Sequence, residues 1–395
     1  MGPEMPPAPQ STPIDEPSDR PDLTPAPDGP PPEVPQEHYR GLRWIFIGPQ
    51  GLRAFWSVAI FVLLFLLFNI GLASAFAKMH LLGRSHGSLS TRSGFFGELA
   101  SFLAVVASAG LLALIERRRI LDYNLVGPNR LARFISGLAT GFVGLSVLIA
   151  GLALGGWLHF GPVALTGSQI FTFAAIWAVV FLMVGFVEEG TMRCVLLYTL
   201  ARGINFWWAT GLVAAMCLSL ILRVKGNGAW GVYAIALLGL VPCLMLHVRK
   251  AESAGFWQAS WVTSTFFGFG HTGNNGENWI GIFAAAFIGF VFCVSVRVTG
   301  SAWWAIGCHA SWDWGETYFY GTADSGMVAQ GHYLTTSLTG PGLWSGGADG
   351  PEGSILVLPV VLLLLAVLLV VYRRRKPTAI HVPTADHAAD QATAG

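Results

Sequence analysis

Long runs of apolar residues without a single charge constrain this chain more than any other feature. Ala54 to Ala77, Phe134 to Trp157 and Ile355 to Tyr372 contain no Asp, Glu, Lys or Arg. A helix of about 18 to 20 such residues crosses the hydrocarbon core of a bilayer. Only 11% of the 395 residues are charged, which is too few for an ordinary water-facing surface. We therefore expect a membrane protein whose first partner is the lipid bilayer.

Ten apolar segments follow one another along the chain. Backbone groups in lipid must be satisfied within their segment, and these runs lack the alternation of barrel strands, so they predict helices. The predicted fold is all-α, a polytopic transmembrane helix bundle of about 8 to 10 spans. This helical domain is predicted to occupy residues 43–376. The predicted segments are 54–77, 94–115, 134–157, 170–200, 206–223, 229–249, 256–272, 279–298, 301–319 and 354–372.

The two ends of the chain differ from this bundle. Residues 1–42 hold 13 of the 22 prolines and few large apolar side chains, so we expect a disordered cytosolic tail. Residues 377–395 are predicted to form a second such tail. Lys and Arg are typical of cytoplasmic ends of spans. The last segment ends in Arg373-Arg374-Arg375-Lys376, whereas residues 321–353 contain neither Lys nor Arg. This distribution predicts a protein of the plasma (cell inner) membrane with both termini in the cytoplasm.

The formal net charge of +1 excludes the basic field that a nucleic-acid partner needs. All five cysteines lie in apolar stretches without a CxxC pair, and we expect them to be small buried hydrophobes.

Three polar clusters interrupt the apolar segments, and an ionisable group within a span is by default a functional candidate. The first is Glu188-Glu189 followed by Arg193, the second pairs Phe267 with His271, and the third pairs His309 with Asp313.

Helical spacing separates the roles of the first cluster. Glu189 and Arg193 are four residues apart and share a helix face, so we expect an ion pair. Glu188 lies about 100° away around the helix and has no such partner. A desolvated carboxylate without a cation beside it suits a general base. Glu188 is therefore the predicted base, supported by Glu189 and Arg193.

His309 and Asp313 are also four apart, so they can enter one cavity together with His271. Such a group could activate a water molecule for attack on a carbonyl and stabilise the oxyanion that results. Glu188, His271, His309 and Asp313 could instead hold zinc, which binds His nitrogen and carboxylate oxygen. The sequence leaves both mechanisms open, with no cofactor required in the first.

The order EExxxR, FxxxH and HxxxD resembles the CPBP or Abi family of intramembrane proteases, which includes CAAX-prenyl endopeptidases. The resemblance covers residues 94–372. It implies an endopeptidase acting on a peptide or membrane-protein substrate, prenylated in some members. It implies that Glu188 and His271 activate water, and that His309 and Asp313 form the oxyanion site.

Two features depart from that family pattern. The family has Asn or Asp at the position of Asp313, and this chain has the acid rather than the amide. An ionised Asp cannot donate a hydrogen bond to an oxyanion, as an amide can. Either Asp313 is protonated, or it orients His309, or it ligates a metal. Residues 206–249 also predict an inserted helical hairpin between the first and second motifs.

Two alternatives to a protease stay open. A non-catalytic immunity or binding protein could keep the same fold, and a proton-coupled transporter could use the same buried carboxylates as a relay. Glu98 also lies in an apolar segment, and the sequence gives it no role.

Overall fold

The computed structural model describes residues 43–48, 51–83, 88–223 and 229–372. The tails predicted for 1–42 and 377–395 lie outside the described residues. Within the described ranges the chain is a helical bundle, as predicted. Its long helices are α1 Ala54–Lys78, α2 Thr91–Ile115, α3 Arg130–Leu154, α4 Ser168–Glu189, α5 Phe206–Arg223, α6 Ala229–Val248, α7 Ala254–Gly270, α8 Trp279–Thr299, α9 Trp303–Trp314 and α10 Val357–Tyr372.

Two of these helices continue through π turns. α4 runs into a π turn at Gly190–Leu196 and then into Leu197–Gly203, so the whole rod spans Ser168–Gly203. α9 runs into a second π turn at Gly315–Tyr320. A π turn replaces i→i+4 bonding by i→i+5 bonding and is common at functional sites. Both π turns directly follow polar motifs, Glu188-Glu189 in the first case and His309 to Asp313 in the second.

Six helices in the described ranges are long and apolar enough to cross a membrane: α1, α2, α3, the α4 rod, α6 and α8. Two shorter apolar helices, Phe206–Leu222 and Val357–Tyr372, accompany them. The chain is therefore a multi-pass membrane protein. The predicted pair at 206–249 exists as α5 and α6, and its status as an insertion stays a prediction.

Short strand pairs mark one end of the bundle, which we call the strand-bearing end. It comprises the described residues of four connections, 79–83 with 88–90, 155–167, 271–278 and 321–356. β1 Ile47–Gly48 and β2 Gly51–Leu52 pair with each other before α1 and are not part of this end. The strands of this end are β3 Ser88–Leu89, β4 Leu158–Val163, β5 Val328–Ala329 and β6 Leu334–Leu338. β3 pairs with β5 in parallel and β4 pairs with β6 antiparallel, so the 321–356 connection is fastened to two others.

Close packing between α3 and α9 fixes the position of the third motif. A Cβ at Gly137 would overlap the carbonyl of Trp304, and one at Gly141 would overlap the carbonyl of Cys308. From the other side, a Cβ at Gly307 would overlap the carbonyl of Phe134. Small residues let helix backbones approach closely where lipid supplies no hydrophobic force. The contact holds His309, two residues beyond Gly307, in one orientation.

α8 lies at the centre of the bundle. About two-thirds of the residues in its most apolar stretch are buried, whereas almost all of the corresponding residues of α1 lie at the periphery. All five cysteines are free and buried, as the sequence predicts. The polar motifs of α4, α7 and α9 surround α8, which contributes Phe292 to their packing.

Candidate active site

One cavity of about 230 Å³ collects the side chains of all three motifs. Glu188 from α4, His271 from the end of α7, and His309 and Asp313 from α9 line its wall. These residues are as far as 125 positions apart, counting from Glu188 to Asp313. The convergence that the helical spacing predicted is therefore present.

Glu189 is the buried centre of a charge network. Its Oε2 lies 3.2 Å from Arg193 Nε, so the ion pair predicted from the four-residue spacing is present. Its Oε1 accepts a hydrogen bond from His309 Nδ1 at 3.0 Å. The link from Glu189 to His309 was not predicted, because spacing along one helix says nothing about a contact between helices.

Arg193 is completely buried and is held by aromatic faces as well as by Glu189. Its guanidinium carbon lies 4.4 Å from the Phe267 ring centroid and 5.3 Å from that of Phe292. A guanidinium over aromatic faces is stabilised electrostatically, more so when desolvated. A Cβ at Gly289 would lie 2.7 Å from Arg193 Nη2, so the glycine makes room for the cation.

His309 is oriented from several sides. Because a carboxylate only accepts, the 3.0 Å contact with Glu189 assigns a proton to Nδ1. Nε2 then faces the cavity, 3.5 Å from Asp313 Oδ2 and 3.7 Å from Glu188 Oε2. Both distances exceed that of a direct hydrogen bond and suit contact through a small group or water. The ring also stacks on Phe292 with 5.8 Å between centroids.

His271 lies directly after α7, at the end of the predicted segment 256–272, and the bounds of that segment agree with the helix to within two residues. The helix stops at Gly270, and His271–Gly273 forms a 3₁₀ turn. The carbonyls of a last helical turn lack partners, and that of Phe267 accepts a hydrogen bond from His271 Nδ1 at 2.7 Å. In the neutral ring this proton leaves a lone pair on Nε2, which can accept a proton.

Glu188 and Glu189 are adjacent in sequence and lie in different environments. The side chain of Glu188 is 36% exposed at the cavity, whereas that of Glu189 is 0% exposed. The sequence predicted this division between a cavity carboxylate and a paired carboxylate. It did not predict that Glu189 would also position the histidine of the third motif.

Five further carboxyl groups line the same cavity: Glu98, Glu277, Asp324, Asp349 and Glu352. The sequence assigns no role to Glu98 and does not single out the other four, which fall in connections between helices. A signal was available in the 321–353 stretch, which has three acidic residues and no Lys or Arg. Glu277, Asp324, Asp349 and Glu352 all belong to the strand-bearing end, and we call these four residues the carboxyl wall.

Neutral donors hold the carboxyl wall in place. Glu352 Oε1 accepts from Trp312 Nε1 at 2.8 Å, and Asp324 Oδ2 accepts from Thr317 Oγ1 at 2.7 Å. The backbone N–H of Asn278 donates to Glu277 Oε1 at 3.1 Å. These bonds orient the carboxyl groups without supplying a positive charge.

Burial changes the protonation of the carboxyl wall. Desolvation, with the charges of Asp349 and Glu352, raises the pKa of Glu277 to about 9. Burial, with the charges of Asp324 and Asp349, raises the pKa of Glu352 to about 8. Burial also raises the pKa of Asp349, to about 7, against a lowering hydrogen bond with Glu277. Protonation therefore relieves the repulsion among these groups.

The zinc alternative fits this arrangement poorly. Among the residues that the structure describes, no three His, Cys, Asp or Glu side chains are placed to hold a metal ion. Zinc in proteins takes three or four ligands at about 2.0–2.3 Å. In the described geometry, Glu188, His271, His309 and Asp313 do not form such a set.

The fold and this site define a multi-pass helical membrane protein with a polar cavity built from three helices. Residues 242–315 match the family model of the type II CAAX prenyl endopeptidase Rce1-like proteins. The match supports membership of the CPBP and CAAX-protease family, which the motifs predicted. It contains His271, His309 and Asp313, while Glu188, Glu189 and Arg193 precede it. No curated protein and no solved structure matches the chain.

Proposed function

We propose that this protein is an intramembrane endopeptidase that hydrolyses a peptide bond with water activated by Glu188 and His271. The observation that carries the proposal is the meeting of Glu188, His271, His309 and Asp313 in one cavity. The match of residues 242–315 to Rce1-like CAAX prenyl endopeptidases supports a peptide or membrane-protein substrate. A prenylated peptide is the first substrate to test.

Water activation needs a base that faces the cavity. The Glu188 carboxylate and the Nε2 lone pair of His271 are the two candidate acceptors on the wall. One of them takes a proton from water while the water oxygen bonds to the carbonyl carbon of the peptide. General base catalysis of this kind contributes about 10²- to 10⁴-fold to a rate.

The oxyanion that forms needs a donor, and His309 Nε2 is suited to this role. Glu189 holds the Nδ1 proton, and the carboxylates of Glu188 and Asp313 near Nε2 stabilise a positive charge on the ring. An imidazolium donates from Nε2 whether or not Asp313 is protonated. Of the roles that the sequence left open for Asp313, we favour support of His309.

The second half of the reaction breaks the carbon–nitrogen bond. The oxyanion reforms a carbonyl, and the nitrogen leaves as an amine after taking the proton that the base received from water. The products are a carboxylic acid and an amine, so protons and electrons balance without any co-reactant. A preorganised donor that meets charge as it develops acts with little reorganisation.

Glu188→Gln tests the proposal directly. Purified protein in nanodiscs is given a prenylated peptide, the same peptide without the prenyl group, and a transmembrane peptide. The variant keeps the shape of the side chain but loses the base, so we expect kcat to fall by about 10²- to 10⁴-fold. Glu252→Gln is the matched control, since Glu252 is exposed and remote from the cavity.

Unchanged turnover in Glu188→Gln would reject the assignment of the base. Proton-coupled flux in proteoliposomes without cleavage of any peptide would favour the transporter. If the protein binds a partner and its cellular phenotype is unchanged in Glu188→Gln, an immunity or binding protein would be favoured. The proposed location, a plasma membrane with both termini in the cytoplasm, is tested by labelling single cysteines placed in the two tails.

A further inference from the structure

The carboxyl wall is more acidic than water activation requires. Seven carboxyl groups line the cavity, the four of the wall together with Glu98, Glu188 and Asp313. The basic groups on the lining are the imidazoles of His271 and His309. Arg193, the nearby guanidinium, is already paired with Glu189. The cavity therefore has more carboxyl groups than the described basic side chains can pair with.

Two buried carboxyl groups lack the donors that such groups normally have. Asp349 is 3% exposed and lines the cavity, and no described N–H or O–H donor reaches its Oδ2. Its neighbour is Glu277, another carboxyl group, with which it can share a proton. Glu316 is 1% exposed, and neither of its carboxylate oxygens has a described hydrogen-bond partner. Buried polar atoms of this kind normally have partners.

The backbone keeps space for the pair formed by Asp349 and Glu277. A Cβ at Gly281, on the first turn of α8, would lie 2.6 Å from Asp349 Oδ2 and would overlap Glu277 Oε1. A Cβ at Gly353 would lie 2.8 Å from Asp349 Oδ2. Both carboxyl groups thus occupy a hollow that two glycines leave open. The acidic pair is accommodated by the packing of α8 and the 321–356 connection.

We propose that the carboxyl wall binds a cationic side chain of the substrate, a lysine ammonium or an arginine guanidinium, beside the bond to be cut. A cation there supplies N–H donors to oxygens that have none and offsets several carboxylates at once. This inference rests on the proposed function, because it names the substrate class of the same cavity. It adds a selection for charge to the hydrolysis.

The pH dependence follows from the groups that face the wall. These are Glu98, Glu188, His271, His309, Asp313 and Glu316. Burial keeps Glu277, Glu352 and Asp349 protonated up to pH values of about 9, 8 and 7. A rise in pH ionises them in turn, so the preference for a cationic substrate increases between about pH 6 and pH 9.

Two peptides that differ at one residue test the selection. They carry lysine or norleucine beside the scissile bond and are assayed with the full-length protein in nanodiscs from pH 6 to pH 9. We expect kcat/KM for the lysine peptide to exceed that for the norleucine peptide by at least about tenfold at pH 8, and the ratio to decrease at pH 6. An equal kcat/KM at every pH would overturn the inference.

The double variant Glu277→Gln, Asp349→Asn assigns the selection to the wall. It preserves side-chain shape, so the readout is the ratio of kcat/KM for the lysine and norleucine peptides, which we expect to fall to within about twofold of one. The lysine preference should disappear, while Glu252→Gln should retain it. A lysine preference that survives in the double variant would contradict the assignment.

A binding measurement separates failure of this inference from failure of the proposed function. Fluorescent versions of both peptides are titrated into wild-type protein and the double variant, which requires no cleavage. If the wild type binds the lysine peptide more tightly than the norleucine peptide, and the double variant binds both equally, the wall is supported even when no cleavage is seen. Cleavage lost in Glu188→Gln with equal binding of both peptides would uphold the protease and reject the wall. If the wild-type protein binds calcium ions but binds both peptides equally, the wall is a metal-ion site and the proposed selection for a cationic substrate is rejected.

Discussion

Buried carboxyl groups at the two ends of the bundle have contrasting surroundings. Near the connection 116–129, one carboxylate, Glu116, lies 2.8 Å from Arg118 Nε and 3.2 Å from Arg202 Nη2. Ser57 Oγ and Tyr123 Oη also donate to it, at 2.5 Å and 3.1 Å. In the cavity, seven carboxyl groups face two imidazoles. Removing a buried carboxylate that is surrounded by donors destabilises the fold, whereas carboxyl groups without counterions are available to a ligand.

Glu189 supports both the fold, through Arg193, and the cavity, through His309, and we expect its substitution to have the largest effect. Glu189→Gln leaves Arg193 buried without a counterion and replaces the charged acceptor of His309 Nδ1 by a neutral amide. Breaking a buried pair by removing one partner costs about 3–5 kcal/mol. The free energy of unfolding, measured by SDS titration in mixed micelles, should fall by that amount, and turnover should be lost.

The double variant Glu189→Gln, Arg193→Met separates the two contributions. Replacing both partners removes the unpaired charge, so stability should recover in part while turnover stays low, because His309 still lacks the negative charge beside Nδ1. Recovery of turnover together with stability would mean that Glu189 serves only the fold. In that case the contact between Glu189 and His309 has no part in the reaction.

Glu116→Gln should affect stability alone. Both arginines lose their counterion, although Arg118 is 15% exposed and keeps some hydration. We expect a loss of about 2–3 kcal/mol in the free energy of unfolding, smaller than for Glu189→Gln. Turnover at a temperature where both proteins are folded should equal that of the wild type.

Asp122→Asn is the control for Glu116→Gln, since its partner Arg119 is 79% exposed. Exposed ion pairs contribute about 0–1 kcal/mol, so this variant should be close to wild type in both measurements. A large loss of turnover in Glu116→Gln would show that the two ends of the bundle are coupled, and the contrast between them would be lost.

Much of this molecule could be predicted from sequence because lipid permits few alternatives. The start of α1 at Ala54 and of α5 at Phe206 coincide with the predicted starts, since a charge-free run must bond within its own helix. The pairing of Glu189 with Arg193 could be predicted because it depends only on spacing within one helix. The bond from Glu189 to His309 could not, because it depends on how α4 packs against α9.

The carboxyl wall was missed for a related reason. Glu277 and Asp349 lie in connections whose structure has no periodicity, and their contact spans 72 positions of sequence. The hollow at Gly281 that accommodates them is visible only in the packed structure. Hydropathy located the helices and could not locate what the connections between them bring together.

The pH dependence of stability is the finest test of the contrast. Burial raises the pKa of Glu277 to about 9, of Glu352 to about 8 and of Asp349 to about 7. In the unfolded chain these groups ionise near pH 4, so folding takes up protons at higher pH. Stability should therefore decrease as the pH rises from about 5 to 9, by about 1.4 kcal/mol per pH unit for each proton taken up.

Thermal unfolding midpoints at pH 5, 7 and 9 measure this slope in wild type and in Glu277→Gln, Asp349→Asn. An amide cannot ionise, so the slope of the double variant should be shallower. Glu116→Gln should retain the wild-type slope between pH 5 and 9, because this substitution leaves the carboxyl wall unchanged. Equal slopes in all three proteins would mean that the wall is ionised at neutral pH and already balanced, which would remove the difference between the two acid groups.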